Sequence, residues 1–218
     1  MAGLEPEKYQ VGEPPVARGL PADVIVSPDT LRDERIPPGQ TRIRKWPVLQ
    51  YGRIPEIARD KWRLQIRGLV ERPLNFTWDE YQKLPRVKVF ADFHCVTTWS
   101  RLGNLWEGVA VQTLIDMAGV KPEARFVVAG AYDDGWTTNL PYADFAQPDC
   151  LLCDSHDGQP LTFEHGGPVR LMIPRLYAWK SAKWLRSMTF LDHDERGLWE
   201  QMGYHDHGDP WREERMWR

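Results

Sequence analysis

From residue 61 onward the chain is a succession of short apolar runs separated by turn-forming stretches, a rhythm that suits sheets far better than helical bundles. KWRLQIRGLV (61–70) alternates apolar and charged residues up to a glycine, as a half-buried strand does. VKVFADFHC (87–95), ARFVVAGAYD (124–133), PVRLMIPRL (168–176) and KWLRSMTFLD (183–192) also read as strands. DDGWTTNLP (133–141) reads as a turn leading into another, and the apolar run before Asp157-Gly158 precedes a tight hairpin. Two segments differ. TWDEYQKLP (77–85) begins on a threonine cap with acids in its first turn and stops at Pro85, and VQTLIDMAGV (111–120) repeats its apolar positions with helical period. The expected architecture is α+β, with mixed, mostly antiparallel sheets and short helices.

Residues 1–45 are rich in proline and show little apolar periodicity, so they are expected to form an extended N-terminal arm. Residues 46–218, starting at WPVLQYG, then make one domain, which suits a chain of 218 residues.

A net charge of −3 gives no global attraction for nucleic acid, and TRIRK is too short a basic stretch to argue for it. No run of about 18 apolar residues is present, so no membrane span is expected. The first residues have no basic, apolar leader pattern, and the three cysteines are a poor disulfide framework. A cytoplasmic location is the expectation. Eleven tryptophans against seven phenylalanines point to a Trp-rich core or an aromatic-lined cavity, because each indole N–H needs a partner.

The chemistry centres on FHCVTTWSRLGNLWEGV (93–109). Cys95 ends a strand and precedes a polar loop, a setting that suits either a small buried hydrophobe or an activated thiol. His94 points to the other face of the strand and is no direct partner. In HGGPVRLMIPRLYAWKSAKWLR (165–186), two glycines are followed by Arg170, Arg175, Lys180, Lys183 and Arg186. Glycine turns and basic side chains bind anions, though a solvated basic loop has the same composition. Cys150-x-x-Cys153, His156 and the histidines of HDHGD (205–209) raise a zinc site as a rival. A strand through Leu151-Leu152 would put the two thiols on opposite faces, and half of a C-x-x-C pair is a weak zinc motif.

FHCVTTWS, LWEGV and GGPVRLMIP followed by Y-x-WKSAKW resemble, in that order, the molybdopterin-binding domain of the sulfite oxidase family, in its compact bacterial form. The resemblance covers about residues 45–205. It implies a molybdenum ion held by one pterin dithiolene, with the Cys95 thiolate as the protein's ligand to the metal; a soft thiolate suits such a centre. Thr97, Thr98 and Ser100 would then support the ligand through hydrogen bonds. The family's pterin-phosphate contacts carry over to His165, Arg170, Ser181, Ala182 (through its backbone) and Lys183. His165 stands where the methionine-sulfoxide reductase branch has asparagine. PVLQYG resembles the first pterin-contacting loop and adds Leu49 and Gln50.

The activity implied is an oxidoreductase's oxygen-atom transfer to or from a small substrate. Sulfite-oxidising members carry an arginine pair shortly after the cysteine; here Arg101 stands alone, with Trp99 and Trp106 nearby. That favours a sulfoxide-like or other oxide substrate over sulfite, with Arg101 as a catalytic candidate and a structural salt bridge as its other reading. No haem or dinucleotide motif is visible, so electrons are expected to pass to or from a separate redox partner. The rivals are a non-catalytic pterin-fold binding module and a zinc-binding protein.

Overall fold

The computed structural model of the protein describes residues 19–133 and 135–217. In chain order the strands are β1 (Val24–Val26), β2 (Thr41–Ile43), β3 (Arg63–Gly68), β4 (Leu74–Thr77), β5 (Val87–His94) and β6 (Trp99–Ala110). They continue with β7 (Phe126–Ala131), β8 (Thr137–Pro141), β9 (Leu151–His156), β10 (Gln159–Pro160), β11 (Arg170–Met172) and β12 (Leu185–Leu191). The α-helices are α1 (Trp78–Gln82), α2 (Val111–Ala118), α3 (Tyr142–Phe145) and α4 (Leu198–Gln201).

One sheet runs β1-β5-β6-β9-β10, with β11 also on β9 and β2 on β6; the second runs β4-β3-β12-β7-β8. The pairs β1–β5, β2–β6 and β3–β12 are parallel and the other ladders antiparallel. The expected mixed α+β architecture is therefore found. Thr77 caps α1 through a full capping box with Glu80, and Gly119 ends α2 in the left-handed region that favours glycine. Asp157 and Gly158 both take positive φ, as the Asp-Gly turn between β9 and β10 requires.

The strand β6 was not expected. Thr97-Thr98-Trp99-Ser100-Arg101 reads as a polar loop, yet Trp99–Ala110 is a continuous twelve-residue strand. Its polar residues are buried with partners: Ser100 Oγ lies 2.8 Å from His94 Nδ1, and Asn104 Nδ2 donates to the carbonyl of Ala91. β5 runs along one edge of β6, while β2 and β9 share the other, pairing with its first and last residues respectively. Gly108 lets β9 approach, since a Cβ there would sit 1.9 Å from the Leu152 carbonyl oxygen.

Residues 19–45 of the expected arm supply β1 and β2 to this sheet; residues 1–18 lie outside the described residues. Arg35 fixes the arm through a buried two-pronged ion pair with Asp92 on β5, at 2.9 and 2.5 Å.

The main core lies where α2, the inner face of the second sheet and one face of β9 and β11 meet, with Trp62, Leu64, Leu114, Val127, Leu152 and Leu171 fully buried. A smaller aromatic core built on Phe93, Trp99 and Trp106 lies on the other side of the first sheet. Cys150 belongs to the first core and Cys153 to the second, so the two thiols do face apart. Both are free. Among the described residues no three His, Cys, Asp or Glu side chains converge to hold a metal ion. Nor is any helix among them long and apolar enough to cross a membrane.

Candidate functional site

β5 ends at His94, and the chain turns sharply before β6 begins at Trp99. Alternation along β5 sends His94 to one face, against Ser100 and Trp211, and Cys95 to the other, where its thiol lines a cavity of about 270 Å³. Thr97 Oγ1 lies 3.2 Å from Cys95 Sγ. Burial pushes the Cys95 thiol up; the hydrogen bond to Thr97 and the charges of Arg215 and Lys183 act in the other direction.

The basic segment reaches the same cavity from β11 and the stretch before β12. Arg170 is 1% exposed, and its guanidinium donates to the carbonyls of His165 (3.0 Å) and Ser181 (2.9 Å). Lys183 Nζ donates to the carbonyls of Leu49 (2.8 Å) and Glu164 (2.7 Å). Among the described residues neither cation forms an ion pair with a carboxylate. Burial accordingly lowers Arg170 to about 10, and burial together with the charge of Arg170 lowers Lys183 to about 7; Asp133, also on the cavity wall, partly offsets the latter. Buried Arg170 and half-buried Lys183, held among the described residues by carbonyl dipoles and by the rings of Trp46, Phe93, Trp106 and Trp184, leave positive potential directed at the cavity.

His165 stacks on Trp46 at 3.9 Å between ring centroids, and Trp46 in turn meets Trp106 and His156. The Nδ1 of His165 is buried without a hydrogen-bond partner among the described residues, an acceptor or donor held in reserve. Burial and the charge of Arg170 lower its imidazole to about 4, so it is neutral at pH 7.

Of the other expected residues, Leu49, Gln50 and Ser181 line the cavity. Ser181 Oγ accepts from the backbone N–H of Ile173. Ala182 is buried beside it with its carbonyl engaged by the N–H of Leu171. Arg101 is not brought to the cavity. It pairs opposite Phe93 in the ladder, while its guanidinium binds Asp157 Oδ2 (2.6 Å), Asn104 Oδ1 and the carbonyl of Arg44. These contacts correspond to the structural salt bridge that is the other reading of Arg101, and they hold its guanidinium away from the cavity.

The sequence reading missed Trp46, Trp179, Trp199 and Tyr204, which line the cavity together with Trp136. The excess of tryptophan was the signal; it marks both a core (Trp62, Trp106 and Trp184 are buried) and a wall.

His156 lies beside this aromatic stack, 3.0 Å from Asn104 Oδ1, and burial lowers it to about 4. Its folded pKa lies below the usual 6.5, so the unfolded chain binds the extra proton between those values. Its contribution to stability is complete above about pH 6.5 and is lost as the pH falls toward 4, by at most about 1.4 kcal/mol per pH unit. Urea unfolding at pH 7, 6 and 5 should show the decline, and His156→Gln should make it shallower by one proton.

Residues 51–199 match the family described as oxidoreductase molybdopterin binding domain. The chain is 46% identical over 183 residues to an uncharacterized oxidoreductase, YuiH, of Bacillus subtilis, covering 84% of this chain and 92% of that protein. It is 30% identical over 151 residues to a putative protein-methionine-sulfoxide reductase subunit, YedZ1, of Azospira oryzae, covering 69% of this chain and 57% of that one. Among solved structures, the sulfane dehydrogenase SoxCD from Paracoccus pantotrophus superposes with a TM-score of 0.59 at 28% identity, over 64% of this chain and 40% of that chain.

Proposed function

The chain belongs to the oxidoreductase molybdopterin binding domain family, and from that premise we propose that it transfers an oxygen atom to or from a small, sulfoxide-like oxide. The observation that carries the reading is a single cavity holding a thiol and two cations, Arg170 and Lys183, that form no ion pair with a carboxylate among the described residues. A soft thiolate is what a dithiolene-bound molybdenum accepts, and cations aimed into a cavity are what a pterin phosphate compensates. The residues therefore fit the group.

In this proposal Cys95 supplies the protein's thiolate to the metal. Arg170 and Lys183 bind the phosphate, joined by Ser181 and the backbone around Ala182. The neutral ring of His165, stacked on Trp46, offers its free Nδ1 to the pterin, and Leu49 and Gln50 close over it. When bound, the molybdenum–pterin group supplies the two-electron chemistry, and the chain orients it and shapes its surroundings. The remaining wall is aromatic, with Trp136, Trp179, Trp199 and Tyr204. With Arg101 engaged elsewhere, no arginine pair awaits a free oxyanion, so a neutral oxide is favoured over sulfite.

Electrons pass to or from a separate redox protein, a reading supported by the Azospira oryzae relative being named as a subunit. A cytoplasmic location completes the proposal; fractionation of the source cells tests it.

The deciding experiment is elemental analysis for molybdenum, tungsten and zinc after expression in a pterin-competent host with molybdate. Assays with a reduced viologen and sulfoxides, and with sulfite and ferricyanide, would follow. About one molybdenum per chain with sulfoxide-dependent dye oxidation is expected. Zinc without molybdenum, or a metal-free protein from a host that loads a control enzyme, would overturn it.

A further inference from the structure

The turn that carries Cys95 is strained. Thr98, a β-branched residue, sits at φ 72°, a left-handed conformation that costs such a residue of order 1–3 kcal/mol. Locally the turn is closed by Cys95 N–H to the Trp99 carbonyl (2.8 Å) and Thr98 N–H to the Cys95 carbonyl (3.0 Å). From far away the Thr41 N–H donates to the Thr98 carbonyl (2.8 Å), and two side chains also reach the turn. Gln40 Nε2 donates to the Cys95 carbonyl at 3.1 Å, and Arg215 Nη1 donates to the Val96 carbonyl at 2.8 Å. Neither residue lies in the family-matched segment 51–199. One precedes it and the other follows it.

The two ends are also fastened to each other. Arg215 Nη2 donates to the carbonyls of Pro38 (3.3 Å) and Gly39 (3.4 Å), next to Gln40. Gly39 sits at φ 67°, in the left-handed region that favours glycine, and a Cβ there would lie 3.2 Å from Arg215 Nη2. The guanidinium lies 5.1 Å over the ring of Tyr177, which stacks on the cavity residue Trp179. Arg215 thus ties together the arm, the cysteine turn and the cavity wall, with its charge next to the thiol-bearing turn.

We propose that Arg215, assisted by Gln40, is a positioning residue for Cys95: it braces the strained turn so that the thiol faces the cavity, and it sets a fixed positive charge beside the metal–thiolate unit. The second half rests on Cys95 being the metal ligand; the first does not. A charge of this sign favours the more reduced, more negative state of the centre, so its loss lowers the midpoint potential.

The test compares the wild type with Arg215→Gln and Arg215→Lys, using Arg212→Gln, a side chain 70% exposed on the same tail, as control. In cofactor-free protein, the rate of iodoacetamide labelling at Cys95 is read by peptide mass. With the rate taken over a pH series and extrapolated to full thiolate, so that the smaller thiolate fraction left by losing the Arg215 charge does not mask the effect, Arg215→Gln should label about tenfold faster or more, as expected for losing a charge-assisted hydrogen bond, and Arg212→Gln at the wild-type rate. In loaded enzyme, the Mo(V) paramagnetic spectrum and midpoint potential are read by redox titration. Arg215→Gln should change the spectrum and lower the potential, while Arg215→Lys restores the potential by keeping the charge. Unchanged labelling overturns the brace, and an unchanged spectrum and potential overturn the action on the metal centre. Faster labelling in a protein that never takes up molybdenum overturns the metal reading of Cys95 and leaves the brace standing.

Discussion

Cys95→Ser is expected to leave a folded protein with at least about a hundredfold less activity. Residues that merely support a metal ligand cost 10–100-fold when lost, and removing the ligand itself exceeds that. The fold should survive because Cys95 sits at the cavity rim, 8% exposed, and a hydroxyl there is smaller than the thiol and still within reach of Thr97. Near-wild-type circular dichroism and thermal midpoint, together with lost turnover and a lowered molybdenum content, are the expected set. Full activity in this variant would end the thiolate mechanism. Loss of the fold would instead make Cys95 a packing residue of the aromatic core.

Glu200→Ala is expected to have the largest effect on stability. Lys180 and Glu200 form an ion pair at 2.7 Å with both side chains 0% exposed. Glu200 Oε1 also accepts from Thr138 Oγ1 (2.7 Å) and from the indole N–H of Trp179 (2.8 Å). Removing the carboxylate strands a buried ammonium, a change that costs roughly 3–5 kcal/mol in such pairs. For a chain of this size that corresponds to a fall of about 10 °C in Tm, measured by calorimetry. Burial already holds the Lys180 amine below its ordinary pKa, and the Asn139 and Asp206 carbonyls still accept from it, so the loss should stay within that range. Lys180→Met combined with Glu200→Leu should recover much of it, because no charge is then left buried. The same carboxylate fixes Trp179 in the cavity wall, so the surviving fraction of Glu200→Ala should show a raised KM.

Much of this architecture is legible in the sequence where local patterns decide. The alternation in 61–70, the helical repeat of 111–120 and the Asp157-Gly158 turn each specify one local geometry, and each forms. β6 escaped because its opening residues are polar; Ser100 and Asn104 become strand residues only when His94 and Ala91 arrive from β5 to pair with them. At the site, the motifs singled out Cys95, Arg170, Ser181 and Lys183, which the fold brings to one cavity. Arg101 went the other way. Its position near the cysteine is suggestive in sequence, but the fold sends its guanidinium to Asp157, fifty-six residues away. Trp46, Trp199 and Tyr204 lie on segments whose convergence no local pattern encodes.

The tandem placement of β2 and β9 along one edge of β6 has a consequence for biosynthesis. A ribosome delivers β1 and β2 long before β5 and β6, the strands they pair with. Until then the early residues have no sheet to join, and β6, once made, offers an open edge until β2 docks and β9 follows. Pairings of such long sequence separation are slow to close and leave nascent strands open to wrong partners. The yield of soluble protein should therefore respond to chaperone supply and growth temperature more than its final stability would indicate.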